Sequence, residues 1–256
     1  MLHCILSAAS AGDVLPLTPD TLRKVGMPHH RMAVGPLPAL PVGAGLFTDD
    51  GKEWLRVTGR VWLSGDPHAV PCPMLTALAD IPVGEARLHV RKEGRSLAWI
   101  TLSDKGSQGL RADGSGPAIA AAVGEALPLC HAQGFLLPDD APALRALLTE
   151  LALGQGYDVI CTSGGTGVGP RDITPQTVAP LLDLELPGFA AAMMVESLKK
   201  TPHAAISRAV CGVLGPSIVI TLPGSRKAVL ENLAAVLPAL PHALDKLHGD
   251  PADCGG

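Results

Sequence analysis

Aromatic side chains make up only 3% of this 256-residue chain, and lysine and arginine form no run anywhere in it. The first shortage removes the stacking platforms that hold single-stranded nucleic acid, and the second removes the basic footprint that duplexes require. With a formal net charge of −4 as well, no nucleic-acid partner is expected. No apolar run reaches the length needed to cross a bilayer, and Met1 to Gly12 lacks the basic start of a secretory leader, so neither a membrane partner nor export is expected. The six cysteines, Cys4, Cys72, Cys130, Cys161, Cys211 and Cys254, show no CxxC pairing. Reduced, mostly buried thiols in a cytoplasmic protein follow, rather than a disulfide framework or a zinc site. A Gly-x-Ser-x-Gly elbow is missing, as is the Gly-Lys-Ser/Thr ending of a Walker A loop, so neither a serine hydrolase nor a P-loop enzyme has local support.

What is present divides into two textures. Residues 1–95 are rich in proline and glycine, with short alternating segments at Trp54 to Thr58, Arg60 to Ser64 and Arg87 to Arg91, and a hairpin turn at Asp49-Asp-Gly51. They predict a small β-rich N-terminal domain. The charged break Arg91 to Arg95 is the expected boundary. Residues 96–249 alternate apolar runs with alanine- and leucine-rich segments, which predicts an α/β domain on a mostly parallel sheet. The expected strands are Leu97 to Leu102, Gly134 to Leu137, Asp158 to Thr162 and Ser217 to Leu222. Expected helices cover Gly116 to Cys130, Ala141 to Gln155, Pro175 to Asp183, Phe189 to Lys199 and Lys227 to His248, the last broken near Pro238 or Pro241. Residues 250–256 predict a disordered tail.

Each strand is followed by small, polar or acidic residues: Ser103-Asp104, Pro138-Asp-Asp140, Ser163-Gly-Gly-Thr-Gly167 and Pro223-Gly-Ser225. In a parallel sheet the C-terminal ends of the strands share one edge, so four loops distant in sequence predict a single pocket. The glycine loop lacks side-chain bulk from Gly164 to Gly169, which lets backbone N–H groups approach an anion, and Arg171 adds a cationic fork. Thr174 is expected to cap a helix beginning at Pro175. Asp139 and Asp172 end two of the predicted loops and could share a magnesium ion as hard oxygen ligands. N-capping is the competing role for Asp139 and the natural one for Asp140.

These blocks, in this order, resemble the MoaB/Mog family of molybdopterin adenylyltransferases, whose fold also occurs in gephyrin and plant Cnx proteins. The resemblance runs from about Ser96 to His248. It is carried by Ile100 to Asp104, Asp113 to Pro117, Leu137 to Asp140, Thr162 to Gly167, Pro170 to Pro175, Leu186 to Phe189, Ile206 to Ala209 and Leu222 to Ser225. It implies a three-layer α/β fold, a homotrimer, and transfer of AMP from Mg-ATP to molybdopterin, with handover to a molybdate-inserting enzyme. The same resemblance makes Asp139 and Asp172 the catalytic and Mg²⁺-binding carboxylates, and Ser163, Gly164, Gly165, Thr166, Gly167, Arg171, Ser103, Asp104 and Ser225 the substrate-binding residues. A noncatalytic molybdopterin-binding carrier or regulatory module is the alternative. Ala191 and Met194 depart from the family, which commonly has an acidic residue and an arginine there. Outside this span, Leu40-Pro-Val-Gly43 and the β-patterned stretch after it resemble the end of the MOSC sulfur-carrier barrel.

Overall fold

A computed structural model describes residues 1–20, 22, 31–65, 67–110 and 112–250. The chain divides into two compact units, Met1–Gly94 and Arg95–Gly256. Residues 251–256, which include Cys254 and nearly all of the expected tail, lie outside the described residues, whereas Cys4, Cys72, Cys130, Cys161 and Cys211 are buried free thiols. No helix among the described residues is long and apolar enough to cross a membrane.

The first unit is a closed barrel of seven strands: β1 (Leu2–Leu6), β2 (Val14–Pro19), β3 (Arg31–Ala33), β4 (Gly45–Phe47), β5 (Glu53–Leu63), β6 (Val70–Ala77) and β7 (Gly84–Arg91). Closure in the order β1-β3-β2-β6-β5-β4-β7 leaves no free edge. The two short strands expected at Trp54 to Thr58 and Arg60 to Ser64 are one long strand, β5, whose register against β6 shifts between Val57 and Gly59. A bulge at this glycine bends the strand without ending it. The turn at Asp49-Asp-Gly51 joins β4 to β5, and Gly51 takes the positive φ of 82° that the turn demands.

The second unit is built on a six-stranded sheet. Its elements in chain order are β8 (Arg95–Leu102), α1 (Asp104–Ser107), α2 (Gly116–Ala126), β9 (Leu129–Leu137), α3 (Ala141–Thr149), β10 (Val159–Ser163), α4 (Thr174–Val178), β11 (Leu184–Glu185), α5 (Pro187–Leu198), β12 (Cys211–Leu214), β13 (Ser217–Leu222), α6 (Arg226–Val236) and α7 (Leu240–Leu247). The strand order is β11-β12-β13-β10-β8-β9. Pairings among β13, β10, β8 and β9 are parallel, while β12 runs antiparallel to both β13 and β11, so the sheet is mixed at one side rather than parallel throughout. The reason is local: β12 and β13 are joined by the tight turn Gly215-Pro216, with Gly215 at φ 55°, and so short a link can connect only antiparallel neighbours.

Helix α2 stops at Ala126 rather than at Cys130, because Leu127 precedes Pro128 and is extended at φ −135°, ψ 138°. The freed residues lengthen β9 to start at Leu129. Ala141 to Gln155 divides into α3 and a π-turn over Glu150–Gly154, and the C-terminal helix breaks between Val236 and Leu240.

One face of the sheet, Leu97, Val159, Cys161, Ile218 and Ile220, shares a core with Ile119 and Val123 of α2, Met193 of α5, Val229 and Leu233 of α6, and Leu240 and Leu244 of α7. The opposite face, Ala98, Ile100, Ile160 and Val219, is also buried. Runs that are apolar on both faces are what a covered parallel sheet requires.

The register of β8 against β10 is pinned at its start. Asp158 is 4% exposed, and its Oδ2 accepts from Ser96 N and Ser96 Oγ, while Ser96 Oγ also accepts from Asp158 N. Arg95 lies 4.0 Å from the same carboxylate and is itself anchored to Asp245 of α7. Asp158→Ala leaves those donors unsatisfied and is expected to lower the unfolding free energy by about 3 kcal/mol, read as a lower urea midpoint at unchanged m. An unchanged midpoint would show that the strand register does not rest on this carboxylate.

Candidate functional site

Because β8, β10 and β13 are parallel and in register, their C-terminal ends deliver Leu102-Ser103-Asp104, Ser163-Gly164-Gly165 and Gly224-Ser225 to one edge. Parallel β9 adds Asp139. Together with Asp113 and Arg171 they line a cavity of about 660 Å³. That volume is ordinary for a small-molecule site.

Glycine is obligatory at two positions in the loop after β10. Gly164 at φ 106° and Gly165 at φ 66° occupy left-handed backbone, and a Cβ on Gly164 would lie 2.7 Å from the carbonyl oxygen of Leu102. Gly164 N donates to Leu222 O at 3.0 Å, so this N–H ties the loop to β13 instead of facing a ligand. The Gly165 N–H has no partner among the described residues, and Gly165 lines the cavity. Thr174 does not cap a helix as expected: it is the first residue of α4, and its hydroxyl donates to Gly164 O at 2.7 Å. Burial explains the change, since a hydroxyl with no exposed surface satisfies the nearest buried carbonyl.

Asp104 is the junction between loops. Its carboxylate accepts from Asp139 N at 3.0 Å and from Arg171 Nη1 at 2.9 Å, and those bonds hold it below the usual carboxylate range. Asp139 is pushed the other way. Burial raises it first, and the negative charges of Asp104 and Asp172 raise it further, against the smaller opposing effect of Arg171. The carboxylate of Asp172 folds back to accept from Gly169 N at 2.7 Å. The competing capping role belongs to Asp140, whose Oδ1 accepts from Ala143 N.

Not every expected contact faces the cavity. Thr166 and Gly167 do not line it: Thr166 is buried, and the carbonyls of both residues accept hydrogen bonds from Arg208. Ser163, Ser103 and Ser225 do border it, yet each hydroxyl is already used, Ser163 Oγ donating to Pro223 O, Ser103 Oγ accepting from Gly106 N and Ser225 Oγ from Ala228 N. Asp113 is likewise occupied, accepting from Thr101 Oγ1, Ser115 N and Gly116 N. Ala191 and Met194 lie on α5 away from the cavity lining, and Glu196 beside them pairs with Lys199 at 2.7 Å.

Two cations at the cavity were not singled out from sequence, Lys105 and Arg226. Each sits one or two residues beyond a loop serine that was singled out, and both are exposed, with side chains that make no ion pair or hydrogen bond with the described residues. Arg171 is also three-quarters exposed, held by its bond to Asp104, so it can turn to an incoming anion at little cost. The edge thus combines three exposed cations and an unpaired N–H with two carboxylates, Asp139 and Asp172, whose charges repel each other. Such a site fits a phosphorylated ligand accompanied by a cation.

Comparison with known proteins gives the family. The chain is similar to gephyrin of Dictyostelium discoideum, 37% identical over 180 residues, which are 65% of this chain and 25% of gephyrin. It therefore spans about a quarter of that relative. It is 35% identical over 156 residues to molybdopterin adenylyltransferase of Helicobacter pylori, covering 60% of this chain and 88% of the relative. Among solved structures, the molybdopterin biosynthesis enzyme MoaB of Thermus thermophilus superposes with a TM-score of 0.56 at 42% identity, over 62% of this chain and 99% of that one. A family model described as "Probable molybdopterin binding domain" matches residues 98–242, wholly within the second unit. As that match spans more than half of the 256 residues, the chain belongs to the molybdopterin binding domain family.

Proposed function

We propose that this chain is a molybdopterin adenylyltransferase of molybdenum cofactor biosynthesis, transferring AMP from Mg-ATP to the terminal phosphate of molybdopterin. The observation that carries the reading is the pairing of Asp139 and Asp172 with Lys105, Arg171 and Arg226 around one cavity. An oxygen of the ionised molybdopterin phosphate attacks the α-phosphorus, the bond from that phosphorus to the β-phosphate bridge breaks, and its electron pair leaves with pyrophosphate. The nucleophile carries no proton, so no general base is needed, and positioning with charge neutralisation supplies the rate.

The side chains divide that work. Arg171, Lys105 and Arg226 neutralise phosphate oxygens, and the Gly165 N–H donates to one of them. The donor set also suits magnesium. Among the described residues no group of three His, Cys, Asp or Glu is placed to hold a metal ion, so a carboxylate pair would leave the other positions to phosphate and water, which is the ligation magnesium prefers. Asp139 is held high by burial first and then by the charges of Asp104 and Asp172, and that repulsion is what a divalent cation would relieve. Asp139 and Asp172 would hold the ion, which when bound supplies charge neutralisation at the phosphate oxygens. The homotrimer and the handover to a molybdate-inserting enzyme belong to the same proposal.

Purified protein given molybdopterin, ATP and Mg²⁺ is expected to yield adenylylated pterin and one pyrophosphate per turnover. Asp139→Asn is expected to lower the rate by about 10³-fold while leaving Tm equal or higher. The Tm direction follows from linkage: the folded-state value of Asp139 lies above its unfolded value, so ionisation opposes folding as pH rises through the folded value. Tight pterin binding without pyrophosphate release would replace the enzyme by the carrier reading.

The acid limb of the pH–rate profile offers a second check. Asp139 must be ionised to hold a cation, so the limb is expected to be raised from where an ordinary aspartate would set it. Asp104→Asn removes a like charge and is expected to move the limb to lower pH, though burial still keeps it raised. A limb that stays in place, or moves up, would show that Asp139 does not set it.

A further inference from the structure

Arg208 lies outside the cavity lining, yet its side chain makes three hydrogen bonds to the segment that leads from the glycine loop into α4. Its Nε donates to Gly167 O at 2.7 Å, Nη2 to Asp172 O at 2.7 Å and Nη1 to Gln176 Oε1 at 3.0 Å, while its backbone N donates to Thr166 O at 2.9 Å. The partners span both ends of the turn between Thr166 and Asp172 and reach into the first turn of α4. A planar fork making three directed bonds fixes the distance between the two loop carbonyls in a way that a point charge on a flexible stem does not.

That distance matters because of what lies on the other side of the turn. A Cβ on Gly167 or on Gly169 would come within 2.8 Å and 2.9 Å of Asp172 Oδ2, so the carboxylate is packed against the same turn whose carbonyls Arg208 holds. If the turn opens, the Gly169 N–H loses Asp172, and the carboxylate loses the bond that fixes its orientation.

We propose that Arg208 is a positioning residue that holds the turn from Thr166 to Asp172 closed, and thereby aims the Asp172 carboxylate across the cavity at Asp139. It touches neither substrate nor metal and acts through the backbone carbonyls of Gly167 and Asp172. The proposal rests on the adenylyltransferase reading only for what the aimed carboxylate does; the closure of the turn is independent of it.

Two measurements on the full chain separate these parts. Amide hydrogen exchange, followed by mass spectrometry on peptides covering residues 164–172, reads the turn without any turnover. Arg208→Ala is expected to speed exchange there and leave β8 and β13 protected, and to raise the Mg²⁺ concentration for half-maximal AMP transfer by about tenfold or more, with KM for molybdopterin little changed. Arg208→Lys keeps the charge and loses the fork, so it is expected to resemble the alanine variant, and millimolar guanidinium is expected to restore Arg208→Ala in part. Unchanged exchange in Arg208→Ala, or wild-type exchange and metal dependence in Arg208→Lys, overturns the proposal. Absence of transfer in the wild-type protein refutes the adenylyltransferase reading instead, and the exchange measurement still decides the role of Arg208.

Discussion

The site depends on the buried carboxylate of Asp158. It binds Ser96 through both the backbone and the hydroxyl and so fixes β8 against β10 at the end of the sheet opposite the cavity. In a sheet of period two, a slip of one residue would exchange the face of Leu97 and Trp99 with that of Ala98 and Ile100. It would also move Ser103 and Asp104 relative to Gly164 and Gly165 by a whole residue, which breaks a cavity assembled from their contacts. A polar group buried at one end of two strands therefore sets the alignment of charged groups at the other.

From that alignment follows a graded electrostatic arrangement. Asp104 spends its carboxylate on Asp139 N and Arg171 and is stabilised in its charged form, whereas Asp139 is left half-buried beside two other carboxylates and is destabilised in its charged form. One acid serves as structure, and its neighbour carries the repulsion that a cation would relieve. The glycine loop behaves in a similar way. Gly164 is tied to Leu222 and Thr174, and Gly165 next to it lines the cavity with its N–H unpaired among the described residues. Rigidity at one residue allows the next to be aimed, which is the arrangement a preorganised anion site needs.

Much of this edge was legible in the sequence, because strands that are apolar on both faces and end in Ser-Asp, Pro-Asp or Ser-Gly-Gly follow directly from parallel pairing and the polarity of its loops. The rest depended on which partner wins a hydrogen bond, and periodicity does not carry that information. Thr174 looked like a cap but is claimed by the carbonyl of Gly164, and Thr166 and Gly167 turn their carbonyls outward to Arg208. Lys105 and Arg226 were within reach of the same rule that found Ser103 and Ser225, had it been extended past the loop to the first helical turn. The single long β5, where two strands were expected, and the antiparallel β12 likewise turn on one glycine each, Gly59 and Gly215.

On the proposed function, loops from β8, β9, β10 and β13 form one nucleotide site around Asp139. Its most direct test is a titration of the ¹⁵N-labelled protein with Mg²⁺ and a non-hydrolysable ATP analogue, followed by backbone amide NMR. The largest shifts are expected on Ser103 to Gly106, Asp139, Gly164 to Asp172 and Gly224 to Arg226; they are expected to require Mg²⁺ and to vanish in Asp139→Asn. Shifts spread over residues outside that edge, or the same shifts without Mg²⁺, would contradict it.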